Sequence, residues 1–520
     1  MMNILIKLRN KFLKNIFFYW IEKDFNRCIK MMENYKLRRY IHSNIYEKNS
    51  ENENLPNIID YMASFIISMY SEYDNVAEPL TSIEEESDFL AKSFIDAYKI
   101  AIEKKECDLL QYLAIPKIEF TEKEKIFFKE KKQEMYSDAR MHSELKDKGF
   151  EEVFDIIFNL VGKYYVGKHK KFWRPGIKHY VGAIWYIIYQ CIKDVKTFSK
   201  EYQINYVDDG EQRCLFNFFN LYIHSILFNG KVLLPFETRK VIFAASALHP
   251  AQDDYIDNNE VNKEVLDDIY KKLLGKDIEY KVPQTKAIFD LVEIIYNKYN
   301  PKDNPTLVKI FTKLHEWQCK SMSQKSKGLS EEELLEISFM KGGYAFAFYG
   351  YIALGEMDMF QFRHFFSMGA IFQITDDLHD IEIDIANGVE TVWTKIINEG
   401  SLLDDVMYGI IGVQRKFESI TSIIQTLKKP VALRRMELFA VRLDLIKFYF
   451  ANSKYFSDEL INNIQFRFNI DVRTYMDRYK LEIDKIKTMD GLEKALMDMK
   501  KSYVHSFKKE YNYLQHGKSL

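Results

Sequence analysis

Two groups of aspartates have the side-chain type and spacing that bind divalent metal ions, because each places carboxylates at positions i, i+1 and i+4. They are Asp253, Asp254 and Asp257 in the first cluster and Asp376, Asp377 and Asp380 in the second cluster. On a helix, positions i and i+4 lie roughly 6 Å apart on one face, with i+1 beside them. Like charges at this spacing repel each other unless cations bind between them. Each cluster therefore predicts a site for hard cations such as Mg²⁺, which take carboxylate and phosphate oxygens as ligands.

A single triplet would be weak support for a metal site, because aspartate-rich helix ends are common at solvated surfaces. The second cluster, however, follows an apolar segment that contains Phe365 and Phe372, and charges at the end of a buried helix need partners. Asp384 extends this cluster, so that Asp376, Asp380 and Asp384 share one helical face. The pair of clusters predicts a pocket that is apolar at depth and binds metal ions at its mouth.

At these positions the sequence resembles the trans-isoprenyl diphosphate (polyprenyl) synthases of the class I isoprenoid synthase superfamily. Residues 253–257 (DDYID) are similar to the first aspartate-rich motif of that family, and residues 372–380 (FQITDDLHD) are similar to the FQxxDDxxD form of the second. The resemblance covers roughly residues 165–400. It implies an all-α fold of the isoprenoid synthase type I, which is a helical bundle around a central apolar pocket.

The resemblance also implies catalytic and metal-binding roles for the aspartates. About three Mg²⁺ ions, which Mn²⁺ could replace, would be held by the six aspartates of the two clusters and by Asp384. These ions would bind the diphosphate of an isoprenyl substrate. Lys341 resembles the lysine that contacts the allylic diphosphate in the family, and we expect it to be a catalytic residue as well.

Five further side chains are expected to bind substrate. Lys171 and Arg174 lie in KFWRP, which is similar to the end of the motif whose lysine and arginine hold isopentenyl diphosphate. Gln318 resembles the glutamine of the family's GQxxD stretch, and Lys395 resembles the lysine that follows the second aspartate motif. Gln373, inside the second motif, is expected either to orient the carboxylates or to contact the diphosphate.

The sequence departs from the family pattern at positions that mainly serve a second, acceptor diphosphate. No arginine pair follows Asp257, since the next residues are NNEVNK. Phe172 stands where the first basic motif has its middle arginine, and Gly342 replaces the threonine after Lys341. The groups that would bind the ionising diphosphate are thus retained, whereas those for an acceptor diphosphate are reduced.

Three functions are compatible with these residues. The first is prenyl transfer from an allylic diphosphate to isopentenyl diphosphate or another prenyl acceptor, which the FQxxDDxxD form and the KFWRP segment favour. The second is a class I terpene synthase or cyclase, favoured by the missing arginine pair and by the spacing of Asp376, Asp380 and Asp384. The third is a non-catalytic helical subunit of a prenyltransferase, against which the intact aspartates of both clusters argue.

Other polar and aromatic residues near the clusters have more than one interpretation. His249 and His379 could orient a carboxylate or exchange a proton, although a hydrogen-bonded structural histidine is the more frequent role at such positions. The aromatic side chains around Lys341 and before the second cluster could shield a carbocation with their π faces. Most aromatic residues in such segments belong instead to the core.

The rest of the chain predicts the helices that position these residues. The 520 residues include only 20 Gly and 10 Pro, and no period-two alternation is sustained, so long helices and little sheet are expected. Past residue 150, helical segments are predicted at about 151–165, 176–201, 211–229, 235–259, 286–299, 305–322, 330–354, 359–386, 403–426 and 430–452. We expect residues 1–145 to form an added N-terminal helical region of unknown role and residues 146–520 to form the catalytic domain.

Composition and charge restrict the partners and the compartment. A formal net charge of −2 provides no global field for nucleic acid. The odd number of cysteines without CxxC spacing disfavours a disulfide framework or a zinc site and predicts a cytoplasmic location. The basic, apolar N-terminal segment is too interrupted to span a bilayer, so we expect it to pack on the body, with peripheral membrane contact as the alternative. A homodimer is one assembly compatible with the sequence.

Overall fold

The computed structural model describes residues 77–104, 190–204, 206, 210–229, 234–258, 262–326, 328–420 and 451–460, together with Gly491 and Lys494. Within these ranges the chain forms helices joined by turns, and none of their residues is in a strand. The predicted all-α class is therefore confirmed for the described part of the chain. The predicted domain boundary between residues 145 and 146, the N-terminal segment and the KFWRP segment lie outside it.

After the first α-helix and the long segment that follows it, the α-helices with defined ends follow one another with short connections. In chain order they are α1 (Ile83–Lys104), α2 (Gly210–Asn229), α3 (Phe236–Asn258), α4 (Lys263–Leu273), α5 (Lys286–Lys298), α6 (Pro305–Ser321), α7 (Glu331–Leu354), α8 (Met359–His379), α9 (Ile381–Asn387), α10 (Val392–Asn398) and α11 (Asp404–Ile420). Three short 3-10 helices lie at Pro283–Thr285, Met322–Lys325 and Ser453–Tyr455. Residues 190–201 are also helical. No helix in these ranges is both long and apolar enough to cross a membrane.

Helix α7 lies at the centre of the bundle and packs against α1, α2, α3, α6, α8 and α10. It begins with a capping box, because Ser330 Oγ accepts from Glu333 N at 3.2 Å and Glu333 Oε2 accepts from Ser330 N at 2.8 Å. It ends at Gly355, whose φ of 86° is the left-handed conformation that glycine tolerates at a helix end. Most residues of α7 are buried, so Lys341 is a charged side chain in a largely apolar helix.

Helices α7 and α8 cross with their backbones in contact at Gly342 and Gly369. A Cβ on Gly342 would clash with the carbonyl of Gly369 and with Gln373 Cβ, and a Cβ on Gly369 would clash with the carbonyl of Gly342. Only the absence of both side chains allows so close a crossing. This crossing sets the spacing between Lys341 on α7 and the second cluster at the end of α8.

Helix α1 belongs to the same hydrophobic core, although it comes from the region predicted as an added layer. It packs against α7, α8 and α11, and Leu90 and Phe94 are fully buried in the shared core. The hydroxyls of Ser87 and Tyr344 are 2.7 Å apart. This helix therefore stabilises the two helices that carry Lys341 and the second cluster.

Candidate active site

Asp253 of the first cluster lies near the end of α3 and is contacted from two other helices. Gln318 on α6 donates from Nε2 to Asp253 Oδ1 at 3.2 Å, and Lys341 Nζ lies 3.7 Å from the same oxygen. Burial would raise the pKa of Asp253, but His249 in its protonated form, followed by the permanent charge of Lys341, outweighs this effect and lowers the pKa. The carboxylate is thus held ionised at the junction of α3, α6 and α7.

His249 lies one turn before Asp253 on α3. Its Nδ1 is 3.4 Å from Asp253 Oδ2. Burial lowers the pKa of His249 despite this carboxylate, so the imidazole is neutral near pH 7. Lys341 is therefore the charged partner that contacts Asp253 at neutral pH.

Asp254 is paired with a residue that the sequence did not single out. Arg213 on α2 donates from Nη2 to Asp254 Oδ1 at 2.5 Å. The available signal was a single arginine near the start of an otherwise apolar helix, which does not by itself identify its partner 41 residues later. Asp257 lies one turn after Asp253 in α3, and its side chain is outside the described part, as are Lys171 and Arg174.

Asp377 of the second cluster is buried and doubly hydrogen-bonded at the end of α8. It accepts from Ser338 Oγ at 2.7 Å and from Gln373 Nε2 at 2.9 Å. Burial raises its pKa to about 6, against the lowering effect of these two bonds. Gln373 orients a cluster carboxylate, which is one of the two roles expected for it.

The remaining groups of the second cluster form an acidic surface at the C-terminus of α8. Asp376, His379 and Asp380 each offer a ligand atom, and these atoms lie within 4.8 Å of one another. The side chain of Asp376 is exposed to solvent on one side, but desolvation by the surrounding protein atoms, followed by repulsion from Asp380 and Asp377, raises its pKa to about 7. Oxygen donors that repel each other in this way fit a hard divalent cation.

Asp384 lies on α9, after a break in the helix that the sequence predicted as continuous. Asp380 ends α8 and precedes α9, with φ of −93° and ψ of 9°. Burial, followed by repulsion from Asp377 and Asp380, raises the pKa of Asp384 to about 8. The carboxylate therefore belongs electrostatically to the second cluster despite the break.

Lys341 is the residue that relates the two clusters to each other. Besides its contact with Asp253, its positive charge lowers the pKa values of Asp376, Asp377 and Asp384. Because the charge of Lys341 interacts with carboxylates of both clusters, the two clusters face the same region of the bundle. The structure thus places Asp253, Gln318, Lys341 and the second cluster with Asp384, which come from five different helices, in one region of the bundle.

Lys395 is placed differently from the other candidates. Its Nζ lies 3.5 Å from Glu399 Oε1 on its own helix α10. In the described part of the chain, no contact joins Lys395 to either aspartate cluster. Trp393 on the same helix donates from Nε1 to the carbonyl of Ile374 at 2.9 Å, so α10 itself is anchored to α8.

Comparisons with models of known protein families, with curated proteins and with solved structures found no significant match for this chain. Its chemistry is therefore argued from the site itself. Carboxylates crowd together at the end of α8, a lysine lies between two clusters, and the ligands offered are oxygens. These features fit a hard divalent cation such as Mg²⁺, which prefers carboxylate oxygens as ligands.

Proposed function

We propose that the protein is a Mg²⁺-dependent enzyme that ionises an allylic isoprenyl diphosphate and transfers the prenyl group to an acceptor, either isopentenyl diphosphate or another prenyl acceptor. The observation that carries this proposal is the convergence of two aspartate clusters on Lys341. A diphosphate bound there would meet one permanent cation and two sets of carboxylates that can hold metal ions. The motif resemblance in the sequence supports the same substrate class.

In the proposed mechanism, the aspartates of both clusters and Asp384 would hold Mg²⁺, which would supply positive charge to neutralise the diphosphate leaving group. Lys341 would donate to oxygens of the same diphosphate, and Gln318 and Gln373 keep Asp253 and Asp377 oriented for binding. The close crossing at Gly342 and Gly369 holds these groups at a fixed spacing.

An aromatic pair lies one turn from the metal-binding groups. Phe372, four residues before Asp376 on α8, stacks on Phe346 of α7 with ring centroids 4.9 Å apart. Both rings are only partly buried. Their π faces could stabilise an allylic cation and exclude water from it, which is the environment that ionisation of the carbon–oxygen bond requires.

A class I terpene synthase is the second candidate, and it differs only in what captures the cation. It is favoured by the mutual repulsion of Asp376, Asp380 and Asp384 at one site. The reduced set of groups for an acceptor diphosphate points the same way. The non-catalytic subunit is the least favoured alternative, because such a subunit has no need for this concentration of charge around Lys341.

The proposal is tested by incubating the full chain with Mg²⁺ and geranyl, farnesyl or geranylgeranyl diphosphate, with and without isopentenyl diphosphate. We expect release of inorganic diphosphate that EDTA abolishes. Elongated products would support prenyl transfer, whereas a hydrocarbon or alcohol formed from one substrate irrespective of isopentenyl diphosphate would support the terpene synthase. Full diphosphate release in EDTA would contradict the metal-dependent mechanism.

Metal binding is tested separately from turnover with Asp376→Asn. This change removes a repelling charge from a solvent-exposed side chain, so we expect the metal-free variant to unfold at the wild-type temperature or slightly above it. Added Mg²⁺ should stabilise the wild type more than this variant. Asp303→Asn, at an exposed position in the turn before α6, is the matched control and should respond to Mg²⁺ like the wild type. Equal responses of all three proteins would count against the site.

A further inference from the structure

Helix α7 is buried along most of its length, yet two of its residues face an accessible space. Between residues 337 and 353, Lys341 and Phe346 are partly exposed and every other residue is buried. Five residues separate the two along the chain, which is roughly 7.5 Å along the helix axis. An accessible cleft therefore leads from the proposed diphosphate site at Lys341 into the bundle and reaches Phe346.

Helices α8 and α3 become accessible at the same depth. On α8, residues 362–371 are buried, and exposure begins at Phe372, one turn before the second cluster. On α3, residues 241–248 are buried, and exposure begins at His249, one turn before the first cluster. Three helices thus define a cleft whose inner end lies about one helical turn, or roughly 6 Å, below the carboxylates.

Aromatic rings close the inner end of this cleft. Phe372 and Phe346 stack face to face between α8 and α7, with ring centroids 4.9 Å apart and an interplanar angle of 13°. Tyr349 packs edge-on against both Phe346 and His249, which extends the closure towards α3. The stack is fixed from below, because a Cβ on Gly369 would lie only 2.6 Å from Phe346 Cβ. The two rings cannot separate unless the two helices move apart.

The depth of the cleft limits the length of an isoprenyl chain that it can bury. An isoprenyl unit has four main-chain bonds, one more than an amino-acid residue, so it spans about 5 Å when extended. A chain whose diphosphate is held at Lys341 and the aspartates buries one unit and part of a second before it meets the rings. A third unit would collide with the rings or lie in water, where it gains no free energy of burial.

We propose that Phe346 and Phe372 determine the chain length of the allylic substrate and restrict it to one or two isoprenyl units, as in dimethylallyl and geranyl diphosphate. This inference rests on the proposed function and specifies its substrate. The two rings are the determinants because the helices that carry them are buried immediately below them. Removal of either ring should therefore lengthen the cleft by the space of one benzene ring, which is close to the space that one isoprenyl unit needs.

The experiment measures kcat/KM for Mg²⁺-dependent diphosphate release by the full chain from dimethylallyl, geranyl, farnesyl and geranylgeranyl diphosphate, with isopentenyl diphosphate present. Calorimetric binding of the unreactive geranyl and farnesyl S-thiolodiphosphates provides a readout that does not depend on turnover. The variants are Phe346→Ala and Phe372→Ala, with leucine at the same position where an alanine variant does not fold. Phe348→Ala is the matched control, because it removes a ring that is buried on α7 and stacked on Phe311 with centroids 4.4 Å apart.

We expect the wild type to prefer geranyl to farnesyl diphosphate at least tenfold in kcat/KM. Either alanine variant should raise the ratio of farnesyl to geranyl kcat/KM at least tenfold and should tighten binding of the farnesyl analogue relative to the geranyl analogue. The ratio is the informative quantity, since a lost contact between a π face and the allylic cation lowers the rate with every chain length alike. Phe348→Ala should leave the ratio unchanged.

Wild-type kcat/KM values for farnesyl and geranylgeranyl diphosphate that equal the value for geranyl diphosphate would overturn the length limit alone. An unchanged ratio in both alanine variants, or an equal change in Phe348→Ala, would have the same consequence. No diphosphate release from any of the four substrates would overturn the proposed function and the length limit with it.

Discussion

At the scale of single residues, Lys341 is in an unusual position for a lysine. It lies in a buried helix, 3.7 Å from a carboxylate of one cluster and within electrostatic reach of three carboxylates of the other. A purely structural lysine would be satisfied by one such partner. The surplus of negative charge around Lys341 is the feature on which the proposed metal site rests.

We predict that Lys341→Gln lowers the rate of diphosphate release by about 10²–10³-fold, the usual effect of removing one preorganised group that stabilises charge in the transition state. Mg²⁺ should still bind, because the variant has one positive charge fewer near the aspartates. The measurement is steady-state diphosphate release at varied Mg²⁺. Lys320→Gln, which removes a half-exposed ion pair with Glu336, is the control and should retain full activity. Wild-type rates for Lys341→Gln would exclude this lysine from the mechanism.

At the scale of elements, the crossing of α7 and α8 explains a departure from the family pattern. The residue after Lys341 is glycine because the carbonyl of Gly369 lies where a side chain would be. A hydroxyl-bearing threonine could not occupy this position without moving the two helices apart. The packing of the two helices therefore accounts for the glycine at position 342.

Gly342→Ala should consequently be destabilising. In an uncrowded helix, replacing glycine with alanine adds up to about 1 kcal/mol of stability. Here the new methyl group would clash with backbone, and overpacking of this kind typically costs about 1–3 kcal/mol. The sign of the change in the free energy of unfolding, measured by denaturant titration, separates the two effects. A more stable Gly342→Ala would show that the helices are not in contact at this point.

Sequence periodicity predicted several elements closely, and its errors have physical causes. The segments expected at about 286–299 and 305–322 are observed as Lys286–Lys298 and Pro305–Ser321, because strong apolar periodicity, Pro305 and flanking polar residues define their ends. The segment expected at 359–386 is two helices that meet at Asp380. The short helix Lys263–Leu273 was missed, since its polar stripe and charged ends resemble a connector in the sequence.

The candidate site was predictable where chemistry is encoded locally. Carboxylates at positions i, i+1 and i+4 are visible in one chain segment, so both clusters could be found from spacing alone. The ion pair between Arg213 and Asp254 depends on how α2 packs against α3, and no local pattern encodes it. The same holds for the hydrogen bond from Ser338 to Asp377, which joins α7 to α8.

At the scale of the whole molecule, one buried ion pair connects α1 to α8. The same two side chains also bind the segment that precedes α1. Arg363 on α8 is 3% exposed, and its guanidinium forms two bonds with the carboxylate of Glu86, which is fully buried. Arg363 Nη1 also donates to the carbonyl of Ala77 at 2.6 Å, and Glu86 Oε2 accepts from Leu80 N at 2.8 Å. The charged groups of Arg363 and Glu86 thus have hydrogen-bond partners from the protein in the interior.

We predict that Arg363→Met lowers the free energy of unfolding by about 3–5 kcal/mol, because it leaves the carboxylate of Glu86 buried without its cation. The double variant Arg363→Met with Glu86→Leu should recover a large part of this loss, since a buried ion pair and an apolar replacement are often close in free energy. Denaturant unfolding of the single and double variants provides the measurement. If the double variant were as unstable as the single one, the loss would come from packing and from the contact with Ala77.

The stability of the whole molecule should also depend on one buried histidine outside the proposed active site. His315 on α6 is 3% exposed, and its Nδ1 lies 2.6 Å from Nε2 of Gln252 on α3. The amide nitrogen donates, so the imidazole accepts at Nδ1 and must be neutral there. Burial lowers the pKa of His315 to about 4, and the nearby charges of Glu316 and Asp267 oppose this without cancelling it.

Because an exposed histidine in the unfolded chain has a pKa near 6.5, the unfolded state binds the proton before the folded state does. The stabilisation from a neutral His315 is therefore fully present above pH 6.5 and is lost as the pH falls towards 4, by about 3 kcal/mol in all. The raised pKa values of Asp376 and Asp384 instead make the folded state more stable as the pH falls, so the effect of His315 is measured as the difference in pH dependence between the wild type and a His315 variant.

His315→Asn retains an acceptor for Gln252 but cannot take up a proton. We expect its free energy of unfolding, measured in urea from pH 7.5 to pH 4.5, to fall less steeply with acidification than that of the wild type, whatever its value at neutral pH. Parallel pH profiles for the two proteins would show that His315 takes up its proton equally well in the folded and unfolded states.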